Sequence, residues 1–178
     1  MVTVAIPAYK REWLGEAIES VLAQTYTDFE LLVVDDHSPY HLQEVVQPYL
    51  QDPRVRYYCN AENLGRKSIV HNWNRCLELA QGEHFVLLCD DDILLPRFLE
   101  CLLALVIDFP SCQVFHANKY NLYQDHQEIV DPWPVYENYQ TFLASKAAGL
   151  RYHTISEFLF NTSHIRSCGG FVPFPVGF

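Results

Sequence analysis

Three consecutive aspartates, Asp90, Asp91 and Asp92, follow the apolar run Phe85-Val86-Leu87-Leu88-Cys89, and a second acidic pair, Asp35-Asp36, follows Phe29 to Val34. Apolar runs of that length, each preceded by a segment of helical period, read as buried parallel strands. In a parallel sheet the carboxyl ends of the strands face the ligand crevice, so five carboxylates are expected along one sheet edge. Like charges at contact repel by about 1 kcal/mol per pair in water and about 4 kcal/mol near a protein surface. Such a cluster calls for a cation, a proton or a hydrogen-bond donor to offset it. The chemistry that follows is a metal-assisted nucleotide site.

The elements that must carry these residues can be read from periodicity. Val2 to Pro7 reads as strand one, and Leu14, Ala17, Ile18, Val21 and Leu22 mark one face of a helix. Phe29 to Asp35 is strand two. Ser38 is expected to cap a second helix, with Pro39 at its first position and Leu42, Val45, Val46, Tyr49 and Leu50 facing inward. Val55 to Cys59 is a third strand. Ile69, Trp73, Cys76, Leu77 and Ala80 give a third helix, with Gly82 as its C′ cap. His84 to Cys89 is strand four, Pro96 to about Phe109 helix four, and Val114 to Ala117 strand five. Strands alternating with helices imply an α/β fold of right-handed parallel units. Beyond Asn118 the pattern decays, Asp131-Pro132-Trp133-Pro134 breaks any regular element, and Gln140 to Ala148 reads as a short helix. We read one domain over 1–178, with a nucleotide-type half to about 118 and an irregular half over 119–178.

The sequence has 178 residues, a formal net charge of −10 and 49% hydrophobic residues, which suits one folded domain and argues against a nucleic-acid role. No apolar stretch reaches the length of a membrane span. The six cysteines show no Cys-x-x-Cys or zinc spacing and read as buried free thiols of a cytoplasmic protein. The end, from Cys168 to Phe178, is apolar and uncharged, which suggests a sequence that stops inside a domain, or a surface covered in a homo-oligomer.

Several functional residues have plainer readings beside them. The aspartates at 90–92 could form a solvated turn, and Asp35 and Asp36 an Asx turn. Tyr9 offers a flat face for a base, or is an ordinary strand-end aromatic. Arg66 and Lys67 precede helix three and can meet a phosphate, or stay solvated. His37 and His41 lack a third ligand and read as exposed helix-end residues. No Gly-x-Gly-x-x-Gly follows strand one, where Pro7-Ala8-Tyr9-Lys10 stands, and no Walker sequence occurs. A diphosphate therefore needs a divalent metal, and oxygen ligation suits Mg2+ or Mn2+.

Val4-Ala5-Ile6-Pro7-Ala8-Tyr9-Lys10, Ala17 to Thr25 and Leu31 to Ser38 resemble the opening of family 2 glycosyltransferases with the GT-A fold. Asn63-Leu64-Gly65, Asn72 to Glu83 and Leu87 to Pro96 continue the resemblance through about Phe109, and Gly169-Gly170-Phe171 is similar to a later segment. The resemblance implies a Rossmann-like, mostly parallel sheet with helices on both faces. It also implies metal-assisted, inverting transfer of a sugar from a nucleotide diphosphate sugar, most simply UDP-linked, to a saccharide, lipid-linked or other hydroxyl acceptor. Tyr9 would stack on or edge the base, Pro7 would belong to the same nucleotide-sugar site, Asp36 would accept the base's ring N–H, and Asp35 would support that loop. Asp90 would face the ribose, Asp91 would ligate the metal, and Asp92 would be a second or water-mediated ligand. Many members carry Asp where this chain has Cys89. The family's general base lies beyond the Gly-Gly-Phe segment, and neither Asp131, Glu137 nor Glu157 replaces it here, so the alternative is a nucleotide-sugar-binding module without turnover. A receiver-like signalling domain fits poorly, since a strand and a helix precede the first acidic pair. A sugar-1-phosphate nucleotidyltransferase would need a glycine-rich first loop.

Overall fold

The computed structural model describes residues 1–122, 127–129, 134, 136–150 and 154–172. Among these, a six-stranded sheet runs in the order β3-β2-β1-β4-β8-β5. Strands β1 (Val2–Ala8), β2 (Phe29–Asp35), β3 (Val55–Cys59) and β4 (His84–Leu87) are mutually parallel, with β1 flanked by β2 and β4. The acidic tips of β2 and β4 are therefore not neighbours: they flank the end of β1. Strand β8 (Phe158–Asn161) pairs antiparallel with both β4 and β5 (Val114–His116). The last strand of the expected alternating series thus sits at the sheet edge, beyond a strand contributed by the irregular half. A separate hairpin joins β6 (Tyr120–Leu122) to β7 (Gln127–Ile129).

Side-chain alternation sorts the core into two layers. Val2, Val4, Ile6, Leu31, Val33, Val86 and Leu88 face helices α1 (Leu14–Leu22), α2 (Leu42–Val46) and α4 (Phe98–Asp108). Ala5, Leu32, Val34, Phe85 and Leu87 face α3 (Ile69–Leu79) and α6 (Thr162–Ser167). α5 (Tyr139–Ala147) lies where a short helix was expected, one residue earlier at each end, with its Asn138 N-cap side chain accepting from Thr141. The expected break at 131–133 and the terminal residues 173–178 lie outside the described residues.

Three local expectations are corrected. Ser38-Pro39 does not start α2; that helix begins at Leu42 after His41, which has φ 52°, and Ser38 instead donates to the Tyr9 carbonyl and accepts from the Tyr40 amide. Gly82 is not a left-handed cap. Helix α3 ends at Leu79, and its terminal carbonyls at Leu77 and Ala80 accept from the Arg166 guanidinium on α6, each at 2.7 Å. Gly82 is needed because β1 passes so close: a Cβ there would lie 2.4 Å from the Thr3 amide nitrogen and 2.8 Å from the Val2 carbonyl carbon. The cysteines are all free, yet only Cys76 is buried, while Cys59, Cys101 and Cys168 are exposed. Cys59 ends up in water because it closes edge strand β3.

Near the end of the chain, α6 closes in a Schellman motif. Gly169 (φ 88°) and Gly170 (φ 79°) donate to the Arg166 and Ile165 carbonyls. The turn delivers Phe171 onto Trp73, Phe85 and Phe160, with ring centroids 5.7, 6.2 and 5.7 Å away. Part of the apolar terminal stretch is therefore covered by the chain's own core.

Two outcomes follow. Gly82→Ala should cost about 3 kcal/mol, because the atoms its methyl meets, Thr3 N, Val2 C and His84 O, are all backbone and cannot rotate away; urea denaturation measures it. Iodoacetamide at pH 8 should alkylate Cys101 and Cys168 at least about tenfold faster than Cys76, whose thiol is enclosed and pushed up in pKa by burial; peptide mass mapping reads the order.

Candidate active site

Over the carboxyl ends of β1, β2 and β4 lies a crevice of about 660 Å3. Its lining includes Pro7, Tyr9, Asp36, Arg66, Asp90 and Asp91 from the expected set. Asp35, Lys67 and Asp92 lie outside it. Asp35 and Asp36 are successive residues at a strand end, so their side chains leave on opposite faces. Asp35 faces the α2 side, where its two oxygens accept from the Ser38 amide at 2.8 Å and the Tyr57 hydroxyl at 2.6 Å. Burial and this contact push the Tyr57 hydroxyl far above its usual pKa. The expectation that five carboxylates share one edge is thus met by three in this crevice.

Each buried carboxylate here solvates a neighbouring loop. Asp90, 8% exposed, accepts on one oxygen from the amides of Tyr9 and Lys10, at 2.8 and 2.7 Å. It holds the turn that leaves β1 where a glycine-rich loop would otherwise be needed. Asp36, 4% exposed, accepts on Oδ1 from Asn60 Nδ2 and the Leu64 amide, and on Oδ2 from the Gly65 amide at 2.7 Å. The Asn63-Leu64-Gly65 sequence acquires a reason from this contact. Asn63 Oδ1 turns the chain by accepting from the Arg66 amide, and a Cβ on Gly65 would come within 2.7 Å of Asp36 Oδ2.

Asp91 is different. Its side chain is 43% exposed and its charge is met by Lys10 Nζ at 3.0 Å. The same pairing raises the Lys10 pKa, chiefly through the hydrogen bond and then the charge of Asp91. A surface pair of this kind contributes little stability, so Asp91 can exchange its partner at small cost. Asp92 turns away into a second crevice of about 1050 Å3 that Asp91 also lines. There it accepts from Ser156 Oγ at 2.5 Å, and Ser156 accepts in turn from the Cys89 amide at 3.0 Å.

The acidic run fits a divalent cation. Ligand atoms of Cys89, Asp91 and Asp92 all lie within 4.8 Å of one another, and Lys10 already places a positive charge on Asp91. Two carboxylates provide the oxygen donors that Mg2+ or Mn2+ takes. Burial, with the three aspartates adding to it, pushes the Cys89 thiol up to about 11 against a weaker opposing pull from Ser156. Metal coordination would favour the thiolate instead.

Sequence reasoning did not reach Lys10, Asn60, Asn72 or Ser156. Lys10 adjoins Tyr9 in the quoted opening segment and could have been taken as the counter-ion. Asn60 and Ser156 carry no local signal, being brought in across 24 and 64 residues. Glu157 is buried and serves as the third residue of a capping box on Thr154, with Lys119 Nζ 3.4 Å away. Burial raises its pKa, an effect partly opposed by the Thr154 amide and Lys119. His37 and His41 are exposed, as expected, and both adopt left-handed backbone.

The chain resembles known proteins over most of its length. It is 34% identical over 123 residues to WcaA of Escherichia coli K12, named provisionally as a colanic acid biosynthesis glycosyl transferase, covering 67% of this chain and 43% of that protein. To glycosyltransferase GlyG of Streptococcus pneumoniae it is 31% identical over 123 residues, covering 68% of this chain and 40% of GlyG. The chain thus spans less than half the length of these relatives. Among solved structures, S. aureus TarS 1–349 in complex with UDP-GlcNAc superposes with a TM-score of 0.74 at 19% identity, over 97% of this chain and 48% of that one. The mannosyltransferase PcManGT of Pyrobaculum calidifontis, with GDP-Man and Mn2+, gives 0.70 at 20% identity, over 99% and 48%. At these identities the likeness establishes the fold, which is GT-A. The model of glycosyl transferase family 2 matches residues 3–169, and the chain belongs to that family.

Proposed function

We propose that this chain binds the donor in an inverting glycosyltransferase, which moves a sugar from a UDP-sugar to the hydroxyl of a saccharide, lipid-linked or other acceptor. The observation that carries the reading is the meeting of Asp36, Asp90 and Asp91 with Tyr9 and Arg66 in one crevice over the parallel strand ends. The UDP-GlcNAc complex of TarS and the GDP-Man and Mn2+ complex of PcManGT support a nucleotide sugar and a divalent metal.

In this reading Pro7 and Tyr9 border the base. Asp36 accepts its ring N–H, and Asp35 holds the adjoining turn through Ser38. Asp90 already holds the Tyr9 and Lys10 amides on Oδ2, which leaves its other oxygen for the ribose. Lys10 and Arg66 line the crevice and are the cations placed to meet phosphate oxygens, with Lys67 alongside in sequence. Asp91 is the metal ligand and Asp92 the second, with Cys89 beside them. When bound, the Mn2+ or Mg2+ ion offsets the charge that develops on the leaving diphosphate. Inversion requires the acceptor oxygen to attack the anomeric carbon on the face opposite the diphosphate while a base takes its proton.

A second reading is a module that binds the donor without turnover, favoured by the engagement of the buried Glu157 carboxylate in its capping box. No helix among the described residues is long and apolar enough to cross a membrane. Six free thiols accord with a cytoplasmic setting.

Incubation with UDP-sugars, Mn2+ and candidate acceptors separates the two readings: released UDP supports transfer, and binding without release supports the module. Asp91→Ala should abolish the metal-dependent part of UDP affinity; unchanged affinity in calorimetry with and without Mn2+ would remove Asp91 from the ligand set. Asp36→Ala should lower stability by about 2–4 kcal/mol, since it strands three donors, two of them loop amides. Chemical denaturation measures that loss.

A further inference from the structure

One polar side chain in the crevice has no part in the roles given above. Asn72 stands in the first turn of α3, lines the crevice and is 4% exposed. Its orientation is set by a charge two groups away. An ionised Asp36 carboxylate only accepts hydrogen bonds, so Asn60 must turn its NH2 group towards Oδ1, at 2.9 Å. The second hydrogen on that nitrogen goes to Asn72 Oδ1, also at 2.9 Å. Asn72 Oδ1 is thereby occupied and its Nδ2 points elsewhere. Among the described residues that Nδ2 donates to nothing. It opens on the crevice that Asn72 lines, where a ligand can accept from it.

Asp36 itself is nearly saturated. A carboxylate offers about four acceptor positions. Three are filled here, by Asn60 Nδ2, the Leu64 amide and the Gly65 amide. The floor of the crevice therefore presents room for one N–H and, one relay away, a free N–H donor.

We propose that Asn72 is a specificity-determining residue, which together with Asp36 reads the imide edge of a uracil base. Uracil N3–H donates to the remaining position on Asp36, and a carbonyl flanking N3 accepts from Asn72 Nδ2. The inference rests on the donor-binding reading above and deepens it. Cytosine would turn an unprotonated N3 lone pair towards the carboxylate. Guanine would bring two donors, N1–H and the N2 amine, to one vacant position. Adenine offers an acceptor at N1. Guanine also sets N1–H beside a carbonyl, O6, but its N2 amine is then left without an acceptor, whereas the imide fills one acceptor and one donor with no donor left over.

The test is calorimetry in Mn2+ with UDP, CDP, GDP, 2-thio-UDP and 4-thio-UDP, on the wild-type chain and on Asn72→Ala. Thiocarbonyls accept hydrogen bonds poorly. The wild type should bind UDP at least about tenfold more tightly than CDP or GDP, and one thio analogue should be roughly threefold to tenfold weaker than UDP. Asn72→Ala should lose about the same factor for UDP and no longer distinguish that thio analogue. A merely structural role for Asn72 predicts equal losses for UDP and both analogues, and that result would overturn the assignment. So would equal UDP affinity in wild type and variant, which would leave the donor site itself intact. Failure of the wild type to bind any nucleotide would sink the donor reading and this inference together. If Asn72→Ala does not fold, the wild-type series decides alone, and equal affinity for UDP and both thio analogues overturns the proposal.

Discussion

A carboxylate withdrawn from water must be met by donors, because the unpaired charge would cost several kcal/mol. Asp36 and Asp90 are both almost fully buried at the tips of parallel strands, and both are met chiefly by backbone amides of the loops beside them. The loops are shaped by the charges they solvate. The Tyr9-Lys10 turn is drawn onto Asp90, and the Leu64-Gly65 turn onto Asp36. The crevice between them is consequently present before any ligand arrives. The device stands in for a glycine-rich phosphate loop, with carboxylate acceptors in place of backbone freedom.

Against that rigid frame, Asp91 is set apart by exposure. Asp36 has both oxygens and Asp90 one oxygen engaged with loop amides of the protein, whereas Asp91 meets a single flexible lysine at the surface. A residue whose partner is cheap to replace suits a site that gains and loses a cation or a diphosphate. Three carboxylates in one crevice thus divide into two that build it and one that stays available.

The second half of the chain braces the first. β8 runs antiparallel to β4 and places Ser156 between the Cys89 amide and Asp92. Arg166 gathers the carbonyls that end α3, and Asn74 on α3 exchanges hydrogen bonds with the backbone of Phe171. Both glycines before that phenylalanine have positive φ, and a Cβ on Gly170 would also approach Asn74 Oδ1 to 2.4 Å. The helix that carries Asn72 is therefore held at its far end by residues almost a hundred positions later.

The sequence by itself determined the local, periodic features. Strand β2 at Phe29–Asp35 and β3 at Val55–Cys59 fall where the apolar runs put them, and α1 buries Leu14, Ala17, Ile18 and Val21 at helical spacing. Burial of a strand or a helix stripe leaves its period in the chain, so these are legible without coordinates. Tertiary structure alone decided which carboxylates share a pocket. Asp35 and Asp36 are adjacent in sequence yet part to opposite faces, and Asp36 meets Asp90 across the intervening β1. It also decided that Gly82 serves close packing, that Ser38 ties a turn, and that an edge strand leaves Cys59 in water. Lys10, Asn60, Asn72 and Ser156 gain their roles from partners far along the chain or from the direction a buried charge imposes on an amide. Contacts of that kind depend on strand order and side-chain facing, and neither has a period to read.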